Sequence, residues 1–218
     1  MKRAFRWVTL LSIAAFPAVC PATARPPDEA GEPLPVIDAH MHTIFTGERE
    51  AASRIRQTRE ELLKEMKENH VVGAVSHTGD TYSRTAKVKY ADPLTLDEVA
   101  VDHPKVRFVI AHCGNPWTVS AAEVVFKNPN VYVDLSGIMI GDLSQFAAED
   151  LDTYLIKPIR WMYRFAGNPR KFLYGSDWPL VPMGQYIRAI RKAIPPEDWK
   201  AVFHDNAVEL FRMKMAEP

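Results

Sequence analysis

The sequence predicts an α/β fold with a parallel sheet, and three observations carry that prediction. Short apolar, β-branched runs alternate with stretches of helical periodicity along the chain, the pattern of strand–helix units. Four of these runs end in a side chain able to bind a metal: His40 and His42, then His77, His112 and Asp177. In parallel α/β folds ligands bind at the carboxyl ends of the strands, so the repeated strand-end placement points to one site.

The first strand, Val36 to His42, is apolar at Val36, Ile37 and Ala39 and ends in His-Met-His. Residues two apart on a strand point to the same side, so His40 and His42 present two imidazoles to one volume. Thr43 to Arg49 reads as a loop with Gly47. Glu50 to Asn69 is expected to be helical, with Ile55, Leu62 and Met66 near one face and a Glu60–Lys64 pair on the other. Val71 to Ser76 is the second strand and runs into His77-Thr78-Gly79-Asp80. Thr81 to Tyr90 reads as a loop, and Pro93 to Val101 as a short helix. Val106 to Ala111 is the third strand, leading into His112-Cys113-Gly114. After a helix at Ser120 to Phe126 and a turn at Asn128-Pro129-Asn130, the fourth strand runs from Val131 to Leu135. Leu143 to Phe165 is expected to be mostly helical, with Gly167-Asn168-Pro169 as its breaker. Phe172 to Tyr174 is the fifth strand, ending in Gly175-Ser176-Asp177-Trp178-Pro179, and two helices around Pro195-Pro196 close the chain.

The 218 residues, with 27 basic and 27 acidic side chains, make one globular domain with room for a core. Balanced charge argues against a nucleic-acid partner. Lys2, Arg3 and Arg6, the apolar run Trp7 to Val19 and Ala22-Thr23-Ala24 form a secretory signal pattern over residues 1–24, too short for a comfortable membrane span. Cleavage would send the protein to the periplasm or outside the cell, with no membrane attachment thereafter. Residues 25–35 read as an exposed linker and 36–218 as the functional domain. Cys20 would leave with the signal, so Cys113 would be the mature chain's one thiol and no disulfide framework exists.

Each candidate has an ordinary reading beside the functional one. His77 alone would pass for a hydrogen-bonded core histidine, and His112 for a buried one. Asp177, behind the small residues Gly175 and Ser176, is costly at a buried strand end unless paired or metal-bound. Asp134, inside the fourth strand, reads as a local hydrogen-bonding residue. Trp117 and Trp178 are candidate walls of a substrate pocket, and core packing serves them equally well. Arg84 and Lys87 are candidate carboxylate clamps, or solvated loop charges.

In this order the motifs Ile37-Asp38-Ala39-His40-Met41-His42, His77-Thr78-Gly79, Ala111-His112-Cys113-Gly114 and Gly175-Ser176-Asp177-Trp178-Pro179 resemble one family. It is the amidohydrolase-related branch of the metal-dependent hydrolases, which also holds the aminocarboxymuconate-semialdehyde decarboxylase type. Asn206 to Phe211 is similar to that family's closing helix. The resemblance implies a TIM-barrel-type fold with one divalent metal ion, usually zinc. The metal would be held by His40, His42, His77 and Asp177. His112 would orient substrate or water, or shuttle a proton, and Asp177 would serve as catalytic base. The family's first, fifth, sixth and eighth strands would carry these residues. Such barrels usually take about 250 residues. The shortage falls between His42 and His77, where the third and fourth strands are missing, so a shortened and open barrel is expected.

The implied reaction is metal-assisted hydrolysis of a C–N or C–O bond in a small polar molecule. Non-oxidative decarboxylation would use the same groups. A non-catalytic remnant that dimerises through exposed sheet edges is the alternative of another class, and in either case a homo-oligomer is an open expectation.

Overall fold

The computed structural model describes residues 33–77 and 87–215. The signal pattern at residues 1–24, most of the 25–35 linker, and Arg84 lie outside the described residues. Among the described residues no helix is long and apolar enough to cross a membrane.

Five parallel strands form the frame: β1 (Val36–His42), β2 (Val71–His77), β3 (Phe108–Ile110), β4 (Val131–Asp134) and β5 (Phe172–Leu173). β1 pairs with β2, and β3, β4 and β5 pair in that order. The two sheets are joined by backbone bonds between β1 and the segment that continues from β5. Ala39 N–H donates to Tyr174 O (2.8 Å), Asp177 N–H to His40 O (2.8 Å) and His42 N–H to Trp178 O (2.7 Å). The backbone order is therefore β2-β1-β5-β4-β3, an arc that among the described residues does not close between β2 and β3. This is a shortened, open barrel, as the strand shortage predicts.

β1 is buried along nearly its whole length, and from Ile37 onward its apolar residues alternate with Asp38, His40 and His42. Ile37 and Ala39 pack outward with Leu173 of β5 and with Ala207 and Leu210 of the closing helix α7 (Asn206–Phe211). The main core fills the other side of the arc, with Val36, Val133, Leu135, Tyr174 and Trp178 among its fully buried members.

The helices flank the arc: α1 (Arg59–Glu68), α2 (Leu94–Asp102), α3 (Thr118–Lys127), α4 (Ala148–Leu151), α5 (Lys157–Ala166), α6 (Met183–Arg191) and α7. The helix expected from Glu50 begins only at Arg59. Thr58 caps it by accepting the Glu61 N–H (3.2 Å), a Thr-x-x-Glu start signal. Before it, Arg49 bridges Arg56 in antiparallel fashion and Glu50 N–H donates to Ile55 O (2.8 Å), which folds this stretch into a tight loop. The long helix expected after Leu143 runs from Ala148 to Ala166 with a π turn at Asp152–Ile156. That turn precedes Pro158, which has no N–H to give the regular ladder. Gly167, at φ 62°, ends the helix in a left-handed cap.

Candidate metal centre

The site lies where β1 ends against the 174–178 segment. The alternation of β1 sends Asp38, His40 and His42 to the face opposite Ile37 and Ala39. Asp38 is fully buried and splices the two chain segments: its Oδ1 accepts His40 N–H (3.1 Å) and Ser176 N–H (2.9 Å). Burial pushes its carboxyl up to about 6, against the hydrogen bonds from Ser176 and His40 that pull it down.

Asp177 follows with φ 62°, the left-handed region that non-glycine residues rarely occupy. That turn brings its carboxylate back over the end of β1. His42 Nε2 lies 3.1 Å from Asp177 Oδ1, and His40 Nε2 lies 3.7 Å from the same oxygen. These three residues each offer one ligand atom, all within 4.8 Å of one another.

The proton inventory shows what this cluster lacks. His42 Nδ1 faces a carbonyl, His77 O, at 3.3 Å, and a carbonyl only accepts. His40 Nδ1 faces Asp134 Oδ2 at 3.0 Å. With both rings donating from Nδ1, each ring in its neutral form turns its Nε2 lone pair toward an oxygen of Asp177, an arrangement that a cation completes, while a doubly protonated His42 donates from Nε2 to Asp177 Oδ1.

Burial pulls the His40 pKa down, but the hydrogen bond and charge of Asp134, with the charges of Asp177 and Asp38, outweigh it and hold the ring above its ordinary value. Burial would raise the Asp134 carboxyl, yet its bonds to His40 and Ser136 and the nearby His112 hold it below the usual range.

His77, expected as a fourth ligand, is not in the cluster. Its ring stacks on His40 with centroids 4.0 Å apart and planes inclined by 17°, so it presents a face rather than a nitrogen. Its pKa is lowered by burial and by the charge of His40, while a hydrogen bond to the Ala39 backbone works the other way.

His112 lies beside His40. It follows β3 in a tight left-handed turn, with φ 56° at His112 and 52° at Cys113. Its ring centroid is 4.7 Å from that of His40, and its Nδ1 bonds Ser136 Oγ (2.9 Å). Cys113 is buried behind it, and burial raises its thiol pKa well above the ordinary value.

Trp178 is fully buried and packs in the core beside Phe45, so its position is that of a packing residue; its backbone carbonyl, not its indole, touches the site. Trp117 is half-buried at the start of α3.

Three site residues escaped the sequence reading: Asp134 as more than a local hydrogen-bonder, Ser136 and Gly137. Their signal was a buried-strand aspartate followed by two small residues, Asp-Leu-Ser-Gly. Gly137 has φ 54°, and a Cβ there would press on Asp177 Oδ2 and lie 2.5 Å from His112 Nδ1.

Solved structures of similar fold align with most of the chain. A zinc-bound amidohydrolase from Burkholderia multivorans aligns with a TM-score of 0.62 at 14% identity, covering 83% of this chain and 100% of that one. An amidohydrolase from Bifidobacterium longum subsp. infantis aligns at 0.56 and 15%, covering 83% and 100%. An Agrobacterium tumefaciens protein aligns at 0.53 and 12%, covering 84% and 98%. No curated protein matches the sequence. The sequence pattern described as Amidohydrolase matches residues 40–213, from the first histidine of the cluster to just past the closing helix. A histidine pair at the end of β1, an aspartate after β5 and a match spanning everything between them make this chain a member of the amidohydrolase family.

Proposed function

We propose that the protein is a metal-dependent hydrolase that cleaves a C–N or C–O bond of a small polar substrate, with one divalent ion, zinc, held by His40, His42 and Asp177. The observation that carries this reading is the convergence of His40 Nε2 and His42 Nε2 on Asp177 Oδ1, at 3.7 and 3.1 Å, with both rings committed as donors on their far side. Two imidazoles and a carboxylate suit zinc, with the remaining position left to water or substrate.

A bound divalent ion would supply Lewis acidity, lowering the pKa of water from 15.7 to about 7. The protein's own groups do the rest. Asp177 turns Oδ1 to the histidines and Oδ2 toward Gly137 and His112, which places Oδ2 to accept a proton on the side where a substrate meets His112. His112 Nε2, the ring atom not bonded to Ser136, is the nitrogen left to relay that proton to the leaving group. His77, stacked flat on His40, walls the site on the other side.

The test is metal content by mass spectrometry together with zinc titration by calorimetry on the mature chain. About one equivalent, with affinity lost in Asp177→Asn, supports the reading; no zinc uptake after reconstitution sinks it. Product analysis then separates hydrolysis, which consumes water, from decarboxylation on the same groups, which releases carbon dioxide.

A further inference from the structure

Asp134 gathers more of the site than any other residue. It ends β4, is 2% exposed, and accepts four hydrogen bonds. Oδ2 takes the ring of His40 (Nδ1, 3.0 Å). Oδ1 takes the His112 backbone N–H (3.0 Å), the Ser136 backbone N–H (3.1 Å) and the Ser136 hydroxyl (2.5 Å). Ser136 has one hydroxyl proton, and giving it to Asp134 leaves Oγ as an acceptor toward His112 Nδ1 at 2.9 Å. The proton order along this chain is thereby fixed. His112 donates to Ser136, Ser136 donates to Asp134, and His40 donates to the other oxygen of Asp134.

We infer that Asp134 is the positioning residue of the centre, setting both His40 and His112 in the Nδ1–H tautomer so that both Nε2 atoms are left as lone pairs. The inference rests on the metal reading for its purpose, but not for its geometry. It also gives the cluster of His40, His112 and Asp134 a role other than a second cation site. His40 Nδ1 is occupied by its bond to Asp134, and His112 Nδ1 by its bond to Ser136. For His112 the consequence is chemical: a neutral ring with Nδ1–H offers Nε2 as a proton acceptor, and the same nitrogen becomes a donor only after taking that proton. A carboxylate behind a ligating histidine fixes its tautomer and orientation, and loss of such a group typically costs about 10–100-fold in metal affinity.

The experiment is long-range ¹⁵N–¹H correlation NMR of the histidine rings in the metal-free protein, at a pH where the rings are neutral, with zinc titration alongside. In the wild type, His40 and His112 are both expected as Nδ1–H. In Asp134→Asn the amide NH₂ can donate to His40 Nδ1, so His40 is expected to switch to Nε2–H and zinc affinity to fall about 10–100-fold. In Ser136→Ala only His112 is expected to change, with His40 still Nδ1–H and zinc affinity within about threefold of wild type. An Nε2–H ring at His40 in the wild type overturns the inference, as does an Asp134→Asn protein with His40 and zinc affinity unchanged. Should Asp134→Asn fail to fold, the wild-type and Ser136→Ala spectra decide by themselves. Correct tautomers in a protein that never binds zinc would sink the metal reading and leave the positioning role standing.

Discussion

Gly137 lies against His112 so closely that a Cβ at position 137 would sit 2.5 Å from the His112 Nδ1, while also pressing on Asp177 Oδ2. Its φ of 54° is in the left-handed region as well. Gly137→Ala therefore has to push apart the two residues proposed to move the proton. Zinc affinity is expected to fall at least about tenfold, as for loss of other groups that orient a metal site. The backbone strain adds about 1 kcal/mol of destabilisation. Calorimetric titration and chemical denaturation read the two effects separately. An alanine variant with wild-type zinc affinity would mean that the Ser136–Gly137 turn does not shape the centre.

His42 and His77 both sit at strand ends, yet their rings are used differently. His42 aims Nε2 at Asp177 from 3.1 Å, whereas His77 lies flat on His40. His42→Ala is expected to weaken zinc binding beyond the roughly 100-fold that bounds the effect of supporting groups. His77→Ala is expected to cost about tenfold or less. Equal losses in the two variants would show that His77 turns a nitrogen into the centre when metal is bound.

The strand-end pattern made much of the site legible in the sequence because β-strand geometry leaves little choice: residues 40 and 42 must share a face once Ile37 and Ala39 are committed to the layer under α7. Asp177 was legible for a related reason, as a buried carboxylate after two small residues. What stayed hidden depends on backbone direction. The left-handed turns at His112 and Asp177 decide where those side chains point, and no local propensity announces them in non-glycine residues. His77, expected as a ligand, lies outside the cluster in this structure because strand position fixes a side chain's face but not its ring orientation. The start of α1 was misplaced although its capping signal at Thr58 and Glu61 was in plain sight, because apolar spacing upstream imitated another turn of helix.

Glu65 gives the fold a specific pH dependence. It is buried where α1 meets α6, and its Oε2 accepts the Met183 N–H (2.8 Å). Burial raises its carboxyl above the ordinary 4.5, against the Met183 hydrogen bond that lowers it. The folded state thus holds this proton more tightly than the unfolded chain does. Stability is expected to fall as pH rises from 4.5 through the raised folded value, and to level off above it. Glu65→Gln keeps an oxygen for the Met183 N–H and removes the titration, so its stability curve should lack this descent. Urea denaturation at a series of pH values measures both slopes. Parallel curves for the two proteins would show that the carboxyl titrates alike in the folded and unfolded states.

The open arc makes the layer under α7 important, because no closed ring of strands holds β1 in place among the described residues. Ile37 is fully buried there with Ala39, Leu173, Ala207 and Leu210, and this small cluster packs the closing helix against the outer face of β1. Leu210→Ala deletes a buried isobutyl group, for which loss of transfer energy plus a residual cavity costs about 2–5 kcal/mol. The helix is short, from Asn206 to Phe211, so it has little intrinsic stability with which to resist. The expected result is a shift in the urea midpoint of that size, and zinc affinity reduced with it, since Ile37 and His40 belong to one strand. An equally large loss of stability with zinc affinity unchanged would separate the two layers. It would mean that the bonds from Ala39 and His42 to the 174–178 segment, and from Asp177 to His40, hold the end of β1 without help from α7.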